Sequence, residues 1–230
     1  MPAPGPYFPA DALVFLRALK RHNDRDWFRE RKARYEASLR GPMIEVIEQL
    51  GRDFRTLAPE IVATPKASLY RIYRDTRFSA DKTPLKTHVA AHFPHHAFTR
   101  NEGAGLYLHV APDEVLVAGG IYAPQPAELH RLREHIARHH RQLQSIVTSP
   151  RFRREVGALA GETLTRVPRG FAADHPAAEL LKRKQFIGWR EFPAVLATSA
   201  TFYRTVLACF TATLPLVRFI NDALLTRSDD

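Results

Sequence analysis

The 230-residue chain is 45% hydrophobic and 25% charged, which is the composition of a folded globular protein and excludes a disordered or collagen-like one. Its formal net charge of +10 favours anionic partners. Because no apolar run approaches the roughly 20 residues of a membrane span, and the N-terminus lacks the pattern of a secretory signal, we expect a cytoplasmic protein with no membrane partner.

The first sixty residues predict three amphipathic helices. Apolar residues recur at helical spacing between Leu13 and Leu19, between Trp27 and Leu39, and again after Met43. The pair at 41–42, Gly-Pro, is expected to end the second helix, because proline lacks the backbone donor that a continuing helix needs. This helical layer carries no chemistry of its own.

The character of the sequence changes at Pro65. The segment ASLYRIYRD, residues 67–75, is rich in aromatic and branched residues and predicts a strand. The segment GLYLHVAPDEVLVAGG, residues 105–120, predicts a hairpin with two alternating runs about a Pro-Asp turn. Strand alternation places Tyr107 and His109 on the same face of that hairpin.

The second half of the chain mixes helices with one more strand. Helical patterns begin at Pro126, at Pro150 and in HPAAELLKR, and the run KQFIGWREF reads as a strand. A last helix of about 199–225 contains Cys209, which we expect to be a buried, inert thiol. We predict one α+β domain over 1–230, with ends at 1–8 and 226–230 that are flexible. Its sheet is mostly antiparallel with a central hairpin, covered by N-terminal helices and a long C-terminal helix.

Positive charge is concentrated in two blocks of the sequence. Residues 66–100 carry 7 Lys and Arg against 2 Asp and Glu, and residues 151–190 carry 9 against 4, a net +5 in each. The segments before, between and after them are nearly neutral. We predict that the two blocks meet in one cleft, where their combined field attracts anions. Two unrelated solvated faces are the alternative.

The stretch RIYRDTRFSADKTPLKTH, residues 71–88, holds five cations and two aspartates. Arginine suits phosphate or carboxylate because its planar fork presents paired donors and keeps its charge. Hydroxyls and turn amides add donors, as in an anion nest, although the glycines of a Walker loop are missing. With the second block included, the predicted ligand-binding residues are Arg71, Tyr73, Arg74, Arg77, Ser79, Lys82, Thr83, Lys86, Tyr107, Arg169 and Lys184.

A structural ion-pair network would use the same charged residues, and it stays open as an alternative. Such a network ties a loop to a sheet and orders its charged groups without any ligand. The pairs expected in it are Asp75 with Arg71 or Arg77, and Asp81 with Lys82 or Lys86.

Catalysis has only weak candidates in this sequence. Asp75, Asp81 and His109 are the titratable groups that could act, with His109 paired to one of the aspartates as acid and base. A half-buried sheet histidine is the plainer interpretation of His109. No nucleophile or dinucleotide-binding motif is present, so we expect no cofactor, and the residues leave open whether any reaction takes place.

Histidines cluster in HVAAHFPHH, at His88, His92, His95 and His96. Imidazole is a common zinc ligand, so a metal site is conceivable. The spacing is interrupted by Pro94, however, and neither a second ligand cluster nor an HExxH motif accompanies it. We therefore predict a solvated loop without a metal.

Together these motifs resemble the bacterial family called domain of unknown function 2461, over about 8–224. The family implies a single cytoplasmic α+β domain and no established activity. Leu85 stands where we expect an aromatic residue, which argues against a ring stacking on a ligand there. The resemblance is carried by FLRALKRHNDRDWFRERKARYE, SLYRIYRDTRFSADKTPLKTH, YLHV, GGIY and VPRGFAADHPAAELLKRKQF. Its motif residues are Arg71, Tyr73, Arg74, Asp75, Arg77, Phe78, Ser79, Asp81, Lys82, Thr83, Pro84 and Lys86, then Pro168, Arg169, Gly170, Phe171, His175, Pro176 and Lys184.

Three functions are compatible with the sequence. The favoured one is a cleft that binds a phosphorylated or other anionic small molecule. The second is nucleic-acid binding, since basic residues alternate with Tyr70, Tyr73 and Phe78, which could stack on bases. The third is a structural or partner-binding protein with a buried ion-pair network. Substrate, pathway and oligomeric state are not indicated.

Overall fold

The structure is a computed structural model that describes residues 5–77, 79–99 and 102–226. Within these residues the strands form a five-stranded antiparallel sheet in the order β1-β2-β3-β5-β4. The predicted α+β class is confirmed. The strands are β1 (Val89–Pro94), β2 (Gly105–Val110), β3 (Glu114–Ile121), β4 (Leu159–Ala160) and β5 (Phe186–Pro193). The α-helices are α1 (Asp11–Arg21), α2 (Arg25–Glu30), α3 (Lys32–Tyr35), α4 (Gly41–Leu57), α5 (Pro65–Ser68), α6 (Pro126–Thr148), α7 (Pro150–Glu155), α8 (Ala178–Leu181) and α9 (Phe202–Leu225).

Contacts divide the chain into two compact units, each assembled from three segments. Unit 1 lies within Met1–Phe93, Tyr107–Val117 and Glu191–Leu207. Unit 2 lies within Pro94–Leu106, Ala118–Arg190 and Ala208–Asp230. The single domain expected from the sequence stays a prediction, as do its flexible ends.

The N-terminal helices of unit 1 follow the predicted apolar periodicity, with one difference. The chain does not leave helical geometry at Gly41-Pro42, because a π-helical turn over Glu36–Arg40 leads directly into α4. In a π turn the backbone bonds skip one further residue, which accommodates a proline that cannot donate. The expected break is therefore wrong. Phe54 of α4 meets Phe93 of β1 edge to face, with ring centroids 6.1 Å apart.

The predicted strand at 67–75 is also wrong, because Ala67 and Ser68 end helix α5 and the residues after them make only scattered ladder bonds. Single antiparallel bridges join Leu69 to Ala91 and Tyr73 to Leu85. Ile72 is buried while Arg71 and Tyr73 are exposed. Successive side chains therefore alternate between a buried and an exposed side, as they would in a strand.

The chain forms strand β1 where the sequence predicted a solvated histidine loop. Its side chains at Val89, Ala91 and Phe93 are fully or almost fully buried. Alanine and proline favour strands weakly, which hid the element from propensity arguments. Burial of the strand, rather than its intrinsic preference, explains why it forms.

The hairpin of β2 and β3 is confirmed. The Ala111 amide donates to the Glu114 carbonyl at 2.8 Å and closes the turn. On β2, Leu106, Leu108 and Val110 are buried, whereas Tyr107 and His109 on the opposite face are half-buried. The polar pair on this face is therefore presented together, as the sequence predicts.

In unit 2, α9 packs closely against the strands. The Asn221 side chain accepts from the Ala104 amide at 2.8 Å and donates to its carbonyl at 3.1 Å. A side chain at Gly119 would come within 2.6 Å of the Thr213 Cβ atom, so glycine is what allows this close approach. Cys209 on the same helix is buried, and burial raises the pKa of its thiol to about 11, as expected for an inert cysteine.

Helix α9 corrects the expectation that no segment is long enough to span a membrane. Over the described residues, Phe202–Leu225 is long and apolar enough by length and composition, with a mean hydropathy of 1.3. Within its apolar window 67% is buried inside the protein. Such burial is what a core helix shows, so the helix is weak evidence for a membrane span.

Candidate functional site

Arg74 organises the loop that contains most of the predicted binding residues. Its guanidinium donates to the Asp81 carboxylate and to the Thr83 hydroxyl, and it reaches the Ser79 hydroxyl at 3.5 Å. The Thr83 amide and then the Arg74 guanidinium hold the pKa of Asp81 down at about 2. These four predicted residues therefore bond one another, as in a structural network.

Arg77 and Asp75 form a second, exposed ion pair. Nε and Nη2 of Arg77 donate to the two carboxylate oxygens of Asp75 at 3.0 and 2.8 Å, and this hydrogen bonding lowers the pKa of Asp75 to about 2. The expected pairing of Asp75 with Arg77 is confirmed. The expected pairing of Asp81 with a lysine is wrong, because Arg74 binds its carboxylate and Lys82 instead donates to the Thr76 carbonyl at 3.0 Å.

Arg71 lies in a different environment, on the wall of an open groove of about 390 Å³ in unit 1. Glu36 is the carboxylate on the wall, and it pairs with Arg40 at 3.0 Å. Lys32, Lys66 and Arg71 make no ion pair with any residue that the structure describes. The groove is lined by the cations Lys32, Arg40, Lys66 and Arg71 and by the rings of Phe28, Tyr35, Tyr70 and Tyr73.

Sequence reasoning found only part of this groove. Arg71 and Tyr73 are among the predicted binding residues, whereas Lys32 and Arg40 belong to the N-terminal helical layer, to which the sequence assigns no chemistry. Lys66 was counted in the first cationic block without a role. The local sequence around Lys32 and Arg40 does not indicate a binding role, and it is the tertiary fold that brings them to Arg71.

Tyr70 connects the groove to Lys86 and to Tyr107, which lies on the half-buried face of β2. Its ring lines the groove, and the Lys86 ammonium lies 4.6 Å from the ring centroid. The Tyr107 ring also packs against the Tyr70 ring, with the two centroids 6.4 Å apart. Lys86 and Tyr107 therefore lie next to a residue of the groove, and their role in binding stays a prediction.

His109 contacts neither of the aspartates with which the sequence paired it. Its Nδ1 lies 3.2 Å from the Tyr107 hydroxyl, and its Nε2 lies 3.1 Å from Oε1 of Glu114. Burial lowers the pKa of His109, and the hydrogen bond that its Nε2 makes to the Glu114 carboxylate opposes that shift. The predicted partner was wrong because the hairpin register places Glu114, which sequence reasoning overlooked, beside His109.

The second cationic block belongs to unit 2. Lys184 pairs with Glu162 at 2.9 Å. Arg169 precedes Gly170, which has a φ of 92°, in a turn closed by the Phe171 amide and the Pro168 carbonyl at 3.4 Å. This is the geometry in which a type II turn exposes its second residue. That Arg169 and Lys184 share one cleft with Arg71 stays a prediction.

The remaining histidines show local contacts. His95 accepts the Ala97 amide at its Nδ1, 3.0 Å away, and stacks on His96 with centroids 4.6 Å apart. His88 instead lies against His109, with centroids 5.2 Å apart. In the described part of the chain, no three metal-binding side chains come together. The expectation of no metal stays a prediction, to be checked by elemental analysis of untagged protein.

The fold defines an α+β protein built on an antiparallel sheet, with a cationic, aromatic-lined groove in one of its units. The chain belongs to the DUF2461 family of conserved hypothetical proteins, whose family model matches residues 11–219. The resemblance of the sequence motifs to this family is thereby confirmed. No curated protein and no solved structure matches the chain.

Proposed function

We propose that the groove around Arg71 binds a phosphorylated or other anionic small molecule. The observation that supports this most strongly is the grouping of Lys32, Lys66 and Arg71 around one groove, where none of the three forms an ion pair with a described residue. Cations brought together repel one another unless acids or a bound anion compensate them. Glu36 pairs with Arg40, and Asp75 has its pKa lowered by Arg77 and then by Arg71, so these acids offset only part of the positive charge and a bound anion would offset the rest.

The aromatic walls indicate that the ligand carries more than its anionic group. Tyr73 is 46% exposed and Tyr70 is half-buried, so both can contact a bound molecule. A volume of about 390 Å³ suits a small organic molecule. Arg71 would grip a phosphate or carboxylate with its paired donors while the rings contact an apolar or planar part.

Nucleic-acid binding is the second candidate, and the exposed Tyr73 ring beside Arg71 favours it. Successive bases can stack on such rings while cations follow the backbone. Affinity that falls steeply with salt and increases with oligonucleotide length would support this candidate. Phe78, the third ring considered from the sequence, lies outside the described residues.

A thermal-shift titration with inorganic phosphate, sulfate and adenosine monophosphate tests the proposal. A ligand that prefers the native state raises the melting temperature in a saturable way. We expect Arg71→Gln to remove most of this stabilisation. Arg17→Gln, which removes the same charge from an exposed position on α1 outside the groove, is the matched control and should respond like wild type. Equal stabilisation of both variants would contradict the proposal.

Two broader parts of the proposal need their own tests. If Arg169 and Lys184 complete the same cleft, Arg169→Gln will also weaken stabilisation by phosphate, and an unchanged response would exclude Arg169. We further propose a cytoplasmic location, because a lone reduced thiol such as Cys209 suits a reducing compartment. Recovery of the protein in a membrane or secreted fraction would contradict it.

A further inference from the structure

Three side chains form a continuous hydrogen-bonded chain on the half-buried face of the hairpin. The Tyr107 hydroxyl is 3.2 Å from Nδ1 of His109, and Nε2 of His109 is 3.1 Å from the Glu114 carboxylate. A carboxylate can only accept, so Nε2 carries the proton and Nδ1 of the neutral ring accepts from the tyrosine. The order of groups is a hydroxyl, a base and a carboxylate that orients the base.

We propose that Tyr107, His109 and Glu114 form a nucleophilic site, in which His109 activates the Tyr107 hydroxyl for attack on an electrophilic phosphoryl group. As the Tyr107 oxygen bonds to the electrophile, its proton passes to Nδ1 of His109, and the leaving group departs with the electrons of the broken bond. Glu114 stabilises the imidazolium that results, which is the role of the carboxylate in catalytic triads. No oxidant or cofactor is needed.

Burial sets the resting protonation states of His109 and Tyr107. The side chain of His109 is 13% exposed, whereas that of Glu114 is 38% exposed. Burial keeps the pKa of His109 below its usual value, so the ring is neutral and able to accept a proton at pH 7. Burial also raises the pKa of Tyr107 to about 12, so the hydroxyl keeps its proton until a base removes it. The titratable and charged groups around His109 are His88, Tyr107, Glu114 and Glu191, and Lys86 acts on the neighbouring His88.

The surroundings of Tyr107 connect this site to the groove. The Tyr70 ring both lines the groove and packs against the Tyr107 ring. The Lys86 ammonium, which lies over the Tyr70 ring, supplies positive charge for a phosphoryl substrate. The inference rests on the proposed function only for the negative charge of the substrate, because the activation of Tyr107 comes from its own hydrogen bonds.

Labelling with phenylmethanesulfonyl fluoride tests the site without a known substrate. Its sulfur forms a bond to an activated hydroxyl oxygen and releases fluoride, and the modified tyrosine is located by peptide mass spectrometry. We expect Tyr107 to be labelled faster than Tyr122, which is 72% exposed but has no histidine partner in the described residues. The rate at Tyr107 should rise with pH through the lowered pKa of His109 and then level off, whereas an ordinary tyrosine gains reactivity only towards pH ~10.

Substitutions assign the roles of the three residues. His109→Gln should slow labelling of Tyr107 by about 100-fold, the usual loss when a general base is removed, and Glu114→Gln by a smaller factor. Labelling of Tyr122 is the internal control and should not change. The half-exposed Glu114 tolerates substitution, and the pH profile of wild type needs no variant, so a misfolded His109→Gln does not prevent the test.

Two results would overturn the inference. One is labelling that follows exposure, with Tyr122 modified before Tyr107. The other is a rate at Tyr107 that is the same in wild type and His109→Gln. Neither depends on anion binding, so labelled Tyr107 in a protein that fails to bind adenosine monophosphate would refute the proposed function and leave the nucleophilic site standing.

Discussion

Arg71, Arg74 and Arg77 recur every three residues, and each has a different environment in the folded chain. Arg74 is the least exposed and bonds to side chains of its own loop. Arg77 is exposed and pairs with Asp75, while Arg71 faces the groove. At the scale of single residues, the network and the binding site that compete as explanations of this sequence use different arginines.

We expect Arg74→Gln to loosen the loop more than Arg77→Gln does. Arg74 lies at the start of the loop and bonds to Asp81 and Thr83 near its end. Its loss therefore removes the side-chain bonds that hold these two parts of the loop together. Arg77 pairs with its near neighbour Asp75 on the surface, where an ion pair contributes little. Limited proteolysis should therefore cut the loop severalfold faster in Arg74→Gln and at the wild-type rate in Arg77→Gln. Equal rates in the two variants would contradict this division of roles.

His88 makes stability dependent on pH. Burial, together with His109 and Lys86, lowers the pKa of His88 from 6.5 to about 4. The folded protein therefore binds this proton less well than the unfolded chain, and the free energy of unfolding decreases as the pH falls from about 6.5 through about 4. A shift of this size corresponds to about 2–3 kcal/mol for a half-buried group.

Urea unfolding at pH 7 and pH 4.5 measures this effect. Wild type should lose more stability between the two values than His88→Gln, which has no proton to bind at this position. Because His109 also has a lowered pKa, part of the loss will persist in the variant. If the two proteins lose the same free energy of unfolding, His88 is not the group responsible.

At the scale of elements, long periodic segments could be predicted and short ones could not. Helix α6 and the β2–β3 hairpin have many residues that repeat one pattern, and both lie where the sequence places them. Strand β1 has a weak intrinsic preference and forms through burial, while 67–75 has a strong preference but no continuous partner strand. The local sequence determines the intrinsic strand preference of a segment. Whether the segment forms a strand also depends on the burial and the partner strands that the fold gives it.

The candidate site was predicted in part for the same reason. Tyr70, Arg71 and Tyr73 belong to the stretch that stood out by its charge and aromatic content. Lys32 comes from a helix whose sequence does not indicate a binding role, and Glu114 comes from the second strand of the hairpin. Contacts of this kind depend on tertiary packing and on register, which a single sequence does not display.

Gly120 tests the packing of β3 on β5. Its φ of 134° is one that side chains rarely adopt, and a Cβ atom there would overlap the Phe186 carbonyl. We expect Gly120→Ala to lower the free energy of unfolding by more than about 3 kcal/mol, from strain and overlap together. Gly170→Ala, at a φ of 92° in open space, should cost only about 1 kcal/mol. Chemical denaturation of both variants checks this, and similar losses would show that the overlap is relieved.

At the scale of the whole molecule, the net charge of +10 is divided between two blocks of +5 in residues 66–100 and 151–190. The described cations of the first block belong to unit 1 and those of the second block to unit 2, and in both blocks some cations are paired with acids, as Lys184 is with Glu162. The cations without ion pairs at the groove are what distinguish a binding site from a general positive field. We therefore attribute anion binding to Arg71 and its neighbours rather than to the total charge of the protein.

Isothermal titration calorimetry with adenosine monophosphate tests that claim most directly. We expect saturable binding of one molecule per chain to wild type and to Arg17→Gln, and at least about tenfold weaker binding to Arg71→Gln, because a charge-assisted contact is lost. Lys66→Gln should show a smaller loss, since lysine acts as a single point charge. Binding of equal strength to wild type and Arg71→Gln, or none to wild type, would contradict the account.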